Sequence, residues 1–317
     1  MGKHCTLKVV TATAIAAGVA MHYTNKNIIK NATSKDLLKK EKGTFYSFKY
    51  GKVFYKVSGQ GSPILLLHDL DETSSGMEWF YLENKLSKTN TVYTLDLLGC
   101  GRSDRPKLNY NCFLYIQLIN DFIKEVIGEK TDIIATGKTA APVIMTTKLA
   151  EESINRIILI NPADLYDLSE VPDTFAKAKR AFFTLPVIGT FAYHLLHSKD
   201  QIFDRFINDY YSNPNAHFDE ISDYYYEAAH KKCSGSKYLY ASIQGKDINM
   251  NINHALKVID KDTIIISGED YYESDYVPNE YAELNENIEC ISIMETAYLP
   301  QLEAPSKVMD IISQYWK

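Results

Sequence analysis

The chain has 317 residues, of which 45% are hydrophobic and 23% charged, and these fractions are typical of a globular protein rather than a disordered or fibrous one. Its 40 Asp and Glu against 34 Lys and Arg give a net charge of −6, which argues against a nucleic-acid partner. The five cysteines show no C-x-x-C spacing, and the sequence contains no glycine-rich phosphate loop. We therefore expect no metal and no cofactor.

The N-terminal segment, residues 1–21, predicts contact with a membrane. A short basic head containing Lys3 and Lys8 precedes an uncharged run over residues 9–21, an order typical of signal peptides. This run is shorter than the roughly 20 apolar residues of a membrane-spanning helix, and the lysines that follow it oppose export of the rest of the chain. We expect a protein that is either anchored to a membrane by this segment or exported by a cleaved signal, and the side of the membrane stays open.

The next segment, residues 22–43, is rich in Lys and Asn and has no apolar periodicity, which predicts a linker. From residue 44 onward the sequence alternates between strand and helix patterns, so that residues 44–317 are predicted to form one domain. The first two strands of this domain flank Gly51 and predict a hairpin.

Six continuous apolar runs follow the hairpin, and such runs are typical of strands that are buried on both faces. Helical patterns with one apolar face lie between several of them. This alternation predicts an α/β fold with a mostly parallel central sheet and helices on both of its faces. The predicted strands are at residues 63–67, 92–95, 133–135, 157–160, 264–266 and 288–293.

One long segment interrupts the alternation, because residues 161–262 contain no convincing buried strand. We predict a helical insertion over residues 165–258, placed above the C-terminal edge of the sheet, where open α/β folds bind their ligands. The many Tyr and Phe of this insertion either pack against one another or line a pocket for an apolar or ring-bearing ligand, and both alternatives stay open.

The order of motifs in residues 44–317 resembles that of the α/β-hydrolase superfamily. The most specific match is residues 96–106, Asp-Leu-Leu-Gly-Cys-Gly-Arg-Ser-Asp-Arg-Pro, which are similar to the family's D-x-x-G-x-G-x-S-D-x-P segment. The predicted insertion falls where the family places its cap. The resemblance implies the α/β-hydrolase fold and an activity like that of ester- or carboxylic-type serine hydrolases.

The resemblance assigns the catalytic triad to Thr139, Asp270 and Tyr298. Thr139 stands where the G-x-S-x-G turn of the family has its serine, Asp270 lies in the G-x-x-D acid loop, and Tyr298 stands where the histidine belongs. The family holds its nucleophile at positive φ, where a β-branched residue is disfavoured. Thr139 therefore supplies its hydroxyl either at a cost in strain or from a relaxed turn that aims it elsewhere. A tyrosine with an ordinary pKa of about 10 is a poor base. Asp270 falls one residue early, so that Tyr271 takes the aligned place.

The resemblance also assigns the oxyanion loop to His68, Asp69, Leu70 and Ala140. The family has glycine where this chain has Asp69, and a carboxylate facing a developing oxyanion would raise the barrier. The Asp69 side chain either faces this position or points to solvent, where it would leave the Leu70 N–H usable as a donor, and both alternatives stay open. We interpret His68 as a structural turn residue.

These departures predict a binding protein or a weakly active pseudo-hydrolase with a small-molecule ligand under the cap, and a membrane contact through residues 1–21. One alternative is an active hydrolase of a small apolar or aromatic substrate, in which displaced residues do the chemistry. A lyase or another reaction in the same pocket is a further alternative. The displaced base would come from the insertion, which contains His194, His197, His217 and His230.

Overall fold

The computed structural model describes residues 2–316, and it describes side chains over residues 11–231 and 234–316. Within this part of the chain one sheet has eight strands in the order β1-β2-β4-β3-β5-β6-β7-β8. The strands are β1 (Thr44–Phe48), β2 (Gly51–Ser58), β3 (Ser62–Leu67), β4 (Asn90–Leu95), β5 (Thr131–Thr136), β6 (Ile154–Ile160), β7 (Thr263–Gly268) and β8 (Ile288–Ile293).

The sheet is mostly parallel, as the apolar runs predict. Only β1 with β2 and β2 with β4 pair antiparallel, and the predicted hairpin around Gly51 is the first of these pairs. Every other neighbouring pair is parallel. All six apolar runs form strands, and Ile133, Ile158 and Ile265 at the centre of the sheet are fully buried.

Helices cover the sheet, and those between β6 and β7 confirm the predicted insertion, which we call the cap. The cap spans residues 165–256 and contains the seven α-helices α5–α11 and a π-helical segment, Phe206–Tyr210. In chain order the α-helices are α1 (Gly2–Ala32), α2 (Phe80–Leu86), α3 (Cys112–Phe122), α4 (Ala140–Leu149), α5 (Leu165–Ser169), α6 (Thr174–Thr184), α7 (Ile188–Leu196), α8 (Lys199–Arg205), α9 (Asp219–Ser234), α10 (Ser236–Gln244), α11 (Asn253–Leu256), α12 (Val277–Leu284), α13 (Pro300–Glu303) and α14 (Pro305–Tyr315).

The parallel register brings several loops to one edge of the sheet. Leu67 of β3 pairs with Ala135 of β5, and Thr136 pairs with Ile160 of β6. Gly268 of β7 pairs in turn with the last residue of β8. Because parallel strands end together, the loops after β3, β5, β6, β7 and β8 leave the sheet side by side.

The motif at residues 96–106 forms a buried ion pair. Arg102 Nε donates to Asp96 Oδ2 at 2.6 Å, and Arg102 Nη2 donates to Asp96 Oδ1 at 2.9 Å. Asp96 also accepts from the Gly76 amide at 2.8 Å. Although burial opposes ionisation, the Arg102 guanidinium lowers the pKa of Asp96 to about 2. The motif that carries the resemblance most specifically therefore has a structural task at the end of β4.

The segment before the sheet differs from the predicted linker. Residues 22–32 continue α1, which packs against α7 and α9. Asn25 Nδ2 donates to Val187 O at 3.1 Å, and the Leu37 amide donates to the buried carboxylate of Glu227 at 2.6 Å. Polar contacts of this kind leave no apolar periodicity in the sequence, and the sequence therefore predicts a linker here.

Residues 11–17 of α1 extend beyond the packed domain. Over residues 11–17 every side chain is exposed, and Ile15 has an exposed fraction of 63%. The side chains of the basic head, with Lys3 and Lys8, lie outside the described residues. Within residues 2–316, no helix combines the length and the apolar character that crossing a membrane requires.

Candidate active site

The turn between β5 and α4 has a glycine at its left-handed position. Gly137 directly follows β5 with φ of +57°, whereas Thr139 has φ of −68° and ψ of −14°, which are ordinary right-handed values. Of the two alternatives for Thr139, the strained position is therefore wrong, and the relaxed turn that aims the hydroxyl elsewhere is found. Glycine adopts positive φ without the steric cost of a Cβ, which is the physical reason for the difference.

The Thr139 hydroxyl is turned into the protein. It donates to the backbone oxygen of His68 at 2.7 Å, and the residue is fully buried. The amide of Ala140, assigned above as an oxyanion donor, donates to the carbonyl oxygens of Gly137 and Lys138 within the turn. Both groups thus hold the turn in place.

A carboxylate occupies the space beside the turn. Asp69 Oδ1 accepts from the Lys138 amide at 2.8 Å, and Asp69 Oδ2 accepts from the Tyr298 hydroxyl at 2.8 Å. A Cβ added at Gly137 would overlap with Tyr298 Oη and with Asp69 Oδ1. The absence of a side chain at Gly137 is therefore what lets Asp69 and Tyr298 meet over the turn. Of the two alternatives for Asp69, the one in which it points to solvent is wrong, because its side chain is buried against this turn.

The protonation of this group is set by burial. Burial raises the pKa of Asp69, partly offset by the charge of Lys138. Burial, together with the Asp69 carboxyl, holds the pKa of Tyr298 well above its ordinary value. Tyr298 is consequently a neutral phenol that donates a hydrogen bond, whereas a general base has to accept a proton near neutral pH.

The acid loop does not bring Asp270 to this group. Asp270 is exposed, and its carboxylate accepts from the Ser212 hydroxyl. The next residue, Tyr271, packs its ring on that of Tyr298 with centroids 5.0 Å apart. Asp164, which follows β6, caps α5 by accepting from the Tyr166 amide at 2.5 Å. Two phenol rings, packed at an interplanar angle of 50°, thus stand where the family has its histidine and acid.

His68 and Leu70 belong to the frame of the loop after β3. The Nε2 atom of His68 accepts from the Leu97 amide at 3.0 Å, which assigns the proton to Nδ1. Nδ1 in turn donates to the backbone carbonyl oxygen of Asp69 at 2.7 Å. Burial lowers the pKa of this imidazole. Leu70 is buried in the main core.

The histidines of the cap lie apart from Thr139. His197 Nε2 contacts Glu72 Oε1 at 2.6 Å, which ties the cap to the loop after β3. His194 stacks on His230 with centroids 4.8 Å apart, and burial lowers the pKa of His194 to about 3 and that of His230 to about 4. His217 is exposed. Among the described side chains, no imidazole hydrogen-bonds the Thr139 hydroxyl.

Aromatic side chains close the space between the sheet and the cap. Tyr210 of the cap stacks on Tyr298 with centroids 5.6 Å apart, and Tyr225 donates to Glu78 at 3.1 Å. Phe206 packs against both Tyr210 and Tyr225. For this cluster the alternative of aromatic self-packing is confirmed.

A small cavity remains beside the turn and has a volume of about 100 Å³. Lys138 lines it together with Asp164, Asp167 and Glu273. Pockets for drug-sized ligands have about 300–1,000 Å³, so that this cavity suits only a small polar molecule. Burial lowers the pKa of Lys138, but the carboxylates of Asp69 and other acids outweigh this effect and raise it overall.

Glu78 is a buried carboxyl that hydrogen-bonds the backbone of Asp69, and its raised pKa can be tested. It accepts from the Asp69 amide at 3.1 Å, and burial raises its pKa to about 8.

A carboxyl group whose pKa is raised in the folded state stabilises the protein below the unfolded pKa of about 4.5, and this stabilisation is lost as the pH rises through about 8. We expect the stability of the wild type relative to Glu78→Gln to fall by a few kcal/mol between pH 4.5 and pH 8.5 in urea unfolding. A constant difference would contradict the raised pKa, and Glu129→Gln on the surface is the control.

Comparisons with known proteins agree with this architecture. No family model matches the sequence. An uncharacterized protein of Mycobacterium tuberculosis is 26% identical over 34% of this chain and 31% of its own length. The 2-hydroxy-6-oxo-6-(2'-aminophenyl)hexa-2,4-dienoic acid hydrolase of Metapseudomonas resinovorans is 27% identical over 35% of this chain and 39% of its own length. The chain therefore spans less than two fifths of these curated relatives.

Solved structures resemble the chain over far more of its length. The meta-cleavage product hydrolase of Pseudomonas fluorescens IP01 matches 86% of this chain and 97% of its own, with a TM-score of 0.67 and 18% identity. The epoxide hydrolase CorEH matches 87% and 98%, with a TM-score of 0.69 and 17% identity. A membrane phospholipase A matches 99% and 98%, with a TM-score of 0.68 and 14% identity. The chain has the α/β-hydrolase fold.

Proposed function

We propose that this chain is a non-catalytic binding protein on the α/β-hydrolase fold. The observation that carries the proposal is Gly137, the left-handed residue that directly follows β5. The fold presents its nucleophile on this sharp strand-to-helix turn, and a glycine has no side chain with which to attack a substrate.

The neighbouring positions support the same proposal. Tyr298 stands where the family has its general base, and it donates its proton to Asp69. Acyl transfer also needs free backbone donors for the developing oxyanion. The Lys138 amide next to the turn is engaged by the Asp69 carboxylate. Asp69 therefore engages both the tyrosine at the position of the base and the backbone amide that would serve as an oxyanion donor.

The ligand that fits best is a small polar molecule in the cavity at Lys138. A larger ligand under the cap would have to displace the stacked Tyr210 and Tyr298, together with the contact between His197 and Glu72. The amine of Lys138 offers such a ligand a positive charge, while Asp167 and Glu273 offer negative ones. A small zwitterion matches this arrangement.

Ester turnover tests the proposal. We expect wild-type protein to hydrolyse p-nitrophenyl acetate and butyrate no faster than denatured protein, because general-base catalysis alone is worth about 10²–10⁴-fold. Thr139→Ala and Tyr298→Phe should leave this background rate unchanged. Turnover that disappears in Thr139→Ala would contradict the proposal, and loss of such turnover in His197→Gln would favour the displaced-histidine alternative.

We also propose that α1 associates with a membrane surface. The uncharged residues 11–17 project from the domain with every side chain exposed, and such a helix gains hydrophobic free energy by lying in a bilayer interface. The likeness to a membrane phospholipase A covers 99% of this chain and so includes most of α1, whereas the likeness to the other hydrolases covers 86–87%. We expect Ile15→Ser with Val19→Ser to release the protein from lipid vesicles in co-sedimentation.

A further inference from the structure

The cap carries apolar residues on the outer face of two helices, where a soluble domain normally has polar ones. On α6 the outer positions Phe175 and Phe182 have exposed fractions of 69% and 41%. On α7 the outer positions Ile188 and Leu195 have exposed fractions of 52% and 56%. Between these helices lies Leu185, with an exposed fraction of 46%. We call these five residues the cap face.

The cap face adjoins α1. The turn between α6 and α7 contains Val187, whose carbonyl oxygen accepts from Asn25 of α1 at 3.1 Å. Val187 has φ of +59°, which is a strained conformation for a β-branched residue. Its neighbours Leu185 and Ile188 are exposed at this tip. The long-range hydrogen bond thus holds the tip of apolar residues beside α1 despite the strain at Val187.

The three helices of this surface carry charged side chains of one sign, although the exposed Asp173 precedes α6 as its N-cap residue. The helices α1, α6 and α7 contain no Asp or Glu, although the whole chain has 40 acidic residues and a net charge of −6. Their basic residues include Lys26 and Lys30 on α1 and Lys177 and Lys179 on α6. A basic, apolar surface on an acidic protein is attracted to anionic lipid, while the remainder of the molecule is repelled by it. A second copy of the same face would meet like charge, which disfavours a dimer through it.

We infer that the cap face docks, together with α1, on the surface of an anionic lipid bilayer, so that the cap lies against the membrane. This inference rests on the proposed membrane association of α1 and adds a second, independent contact. The apolar side chains at the tip enter the interface, and the lysines of α6 face the lipid headgroups.

Co-sedimentation with vesicles tests the inference on the full chain. We expect the wild type to bind phosphatidylcholine vesicles containing about 30% phosphatidylglycerol more strongly than vesicles of phosphatidylcholine alone, since each lysine near the surface adds affinity. Leu185→Ser with Ile188→Ser should lower the partition coefficient about tenfold or more. The matched control is Phe113→Ser with Leu149→Ser, because both residues have an exposed fraction of 69% outside the cap face, and it should bind like the wild type.

Charge reversal provides the second arm. Lys177→Glu with Lys179→Glu should remove the preference for anionic vesicles. The control is Lys124→Glu with Lys148→Glu, which should keep this preference. Lys124 follows α3, Lys148 lies on α4, and both are exposed. Unchanged binding in both cap variants, with release by Ile15→Ser and Val19→Ser, would overturn the cap contact and leave the α1 proposal standing. Release by the cap variants, with unchanged binding of Ile15→Ser with Val19→Ser, would support the cap contact and contradict the α1 proposal. A cap variant that changes the oligomeric state but not vesicle binding would assign the face to protein contacts and overturn the inference.

Discussion

Replacing Gly137 with alanine is expected to lower the free energy of unfolding by about 3 kcal/mol or more. The added Cβ would overlap with the Tyr298 hydroxyl and the Asp69 carboxylate, which are hydrogen-bonded directly over the turn. Overpacking of a buried site costs about 1–3 kcal/mol, and the left-handed φ of +57° adds about 1–2 kcal/mol for a residue with a Cβ. Urea unfolding monitored by circular dichroism measures the change.

Gly128 supplies the matched control for this substitution. Its φ is +75°, and a Cβ there would meet no atom within 4 Å. Gly128→Ala should therefore cost only the backbone term of about 1–2 kcal/mol. In a background of Asp69→Ala and Tyr298→Phe, the cost of Gly137→Ala should fall toward that of Gly128→Ala. An unchanged cost would show that the overlap at the turn is not the cause.

Replacing Arg102 with alanine is expected to lower the free energy of unfolding by about 3–5 kcal/mol, because it leaves a buried charge without its partner. The Asp96 side chain is fully buried and accepts three hydrogen bonds from Arg102, one of them from its backbone amide. The guanidinium also packs over the Phe54 ring at 4.1 Å, and this contact would be lost.

An exposed ion pair provides the comparison for Arg102. Lys39 contacts Asp36 at 3.2 Å with side-chain exposed fractions of 79% and 45%. Solvent screens exposed pairs and leaves them little net stabilising effect, so that Lys39→Ala should change the unfolding free energy far less than Arg102→Ala does. Equal effects of Lys39→Ala and Arg102→Ala would contradict the structural task assigned to the motif at residues 96–106.

The fold could be predicted from the sequence because its determinants are local. Apolar runs such as residues 63–67 and 157–160 are long enough to require burial on both faces, and they form β3 and β6. The long stretch without a strand between β6 and β7 likewise predicts an insertion. It does not predict how the helices of this insertion pack. The helix over residues 22–32 could not be predicted, because polar contacts such as that between Asn25 and Val187 connect positions 162 residues apart.

The site could be predicted only in part, for a similar reason. Aligning glycine with glycine in the G-x-S-x-G pattern places Thr139 at the turn, whereas the backbone places Gly137 there. A glycine immediately after a buried strand and before a helix was the available signal for this residue. The contact between Asp69 and Tyr298 spans 229 residues. It follows from the parallel strand order, which brings the loops after β3 and β8 to the same edge of the sheet, rather than from any motif.

The proposal that the turn carries no nucleophile is tested most directly by covalent labelling. Wild-type protein is incubated with a fluorophosphonate probe beside an active serine hydrolase, and each intact mass is then measured. We expect a stoichiometric adduct on the hydrolase and none on this chain, because Gly137 has no hydroxyl and that of Thr139 is buried against His68. A stoichiometric adduct on this chain that is lost in Thr139→Ala would contradict the account.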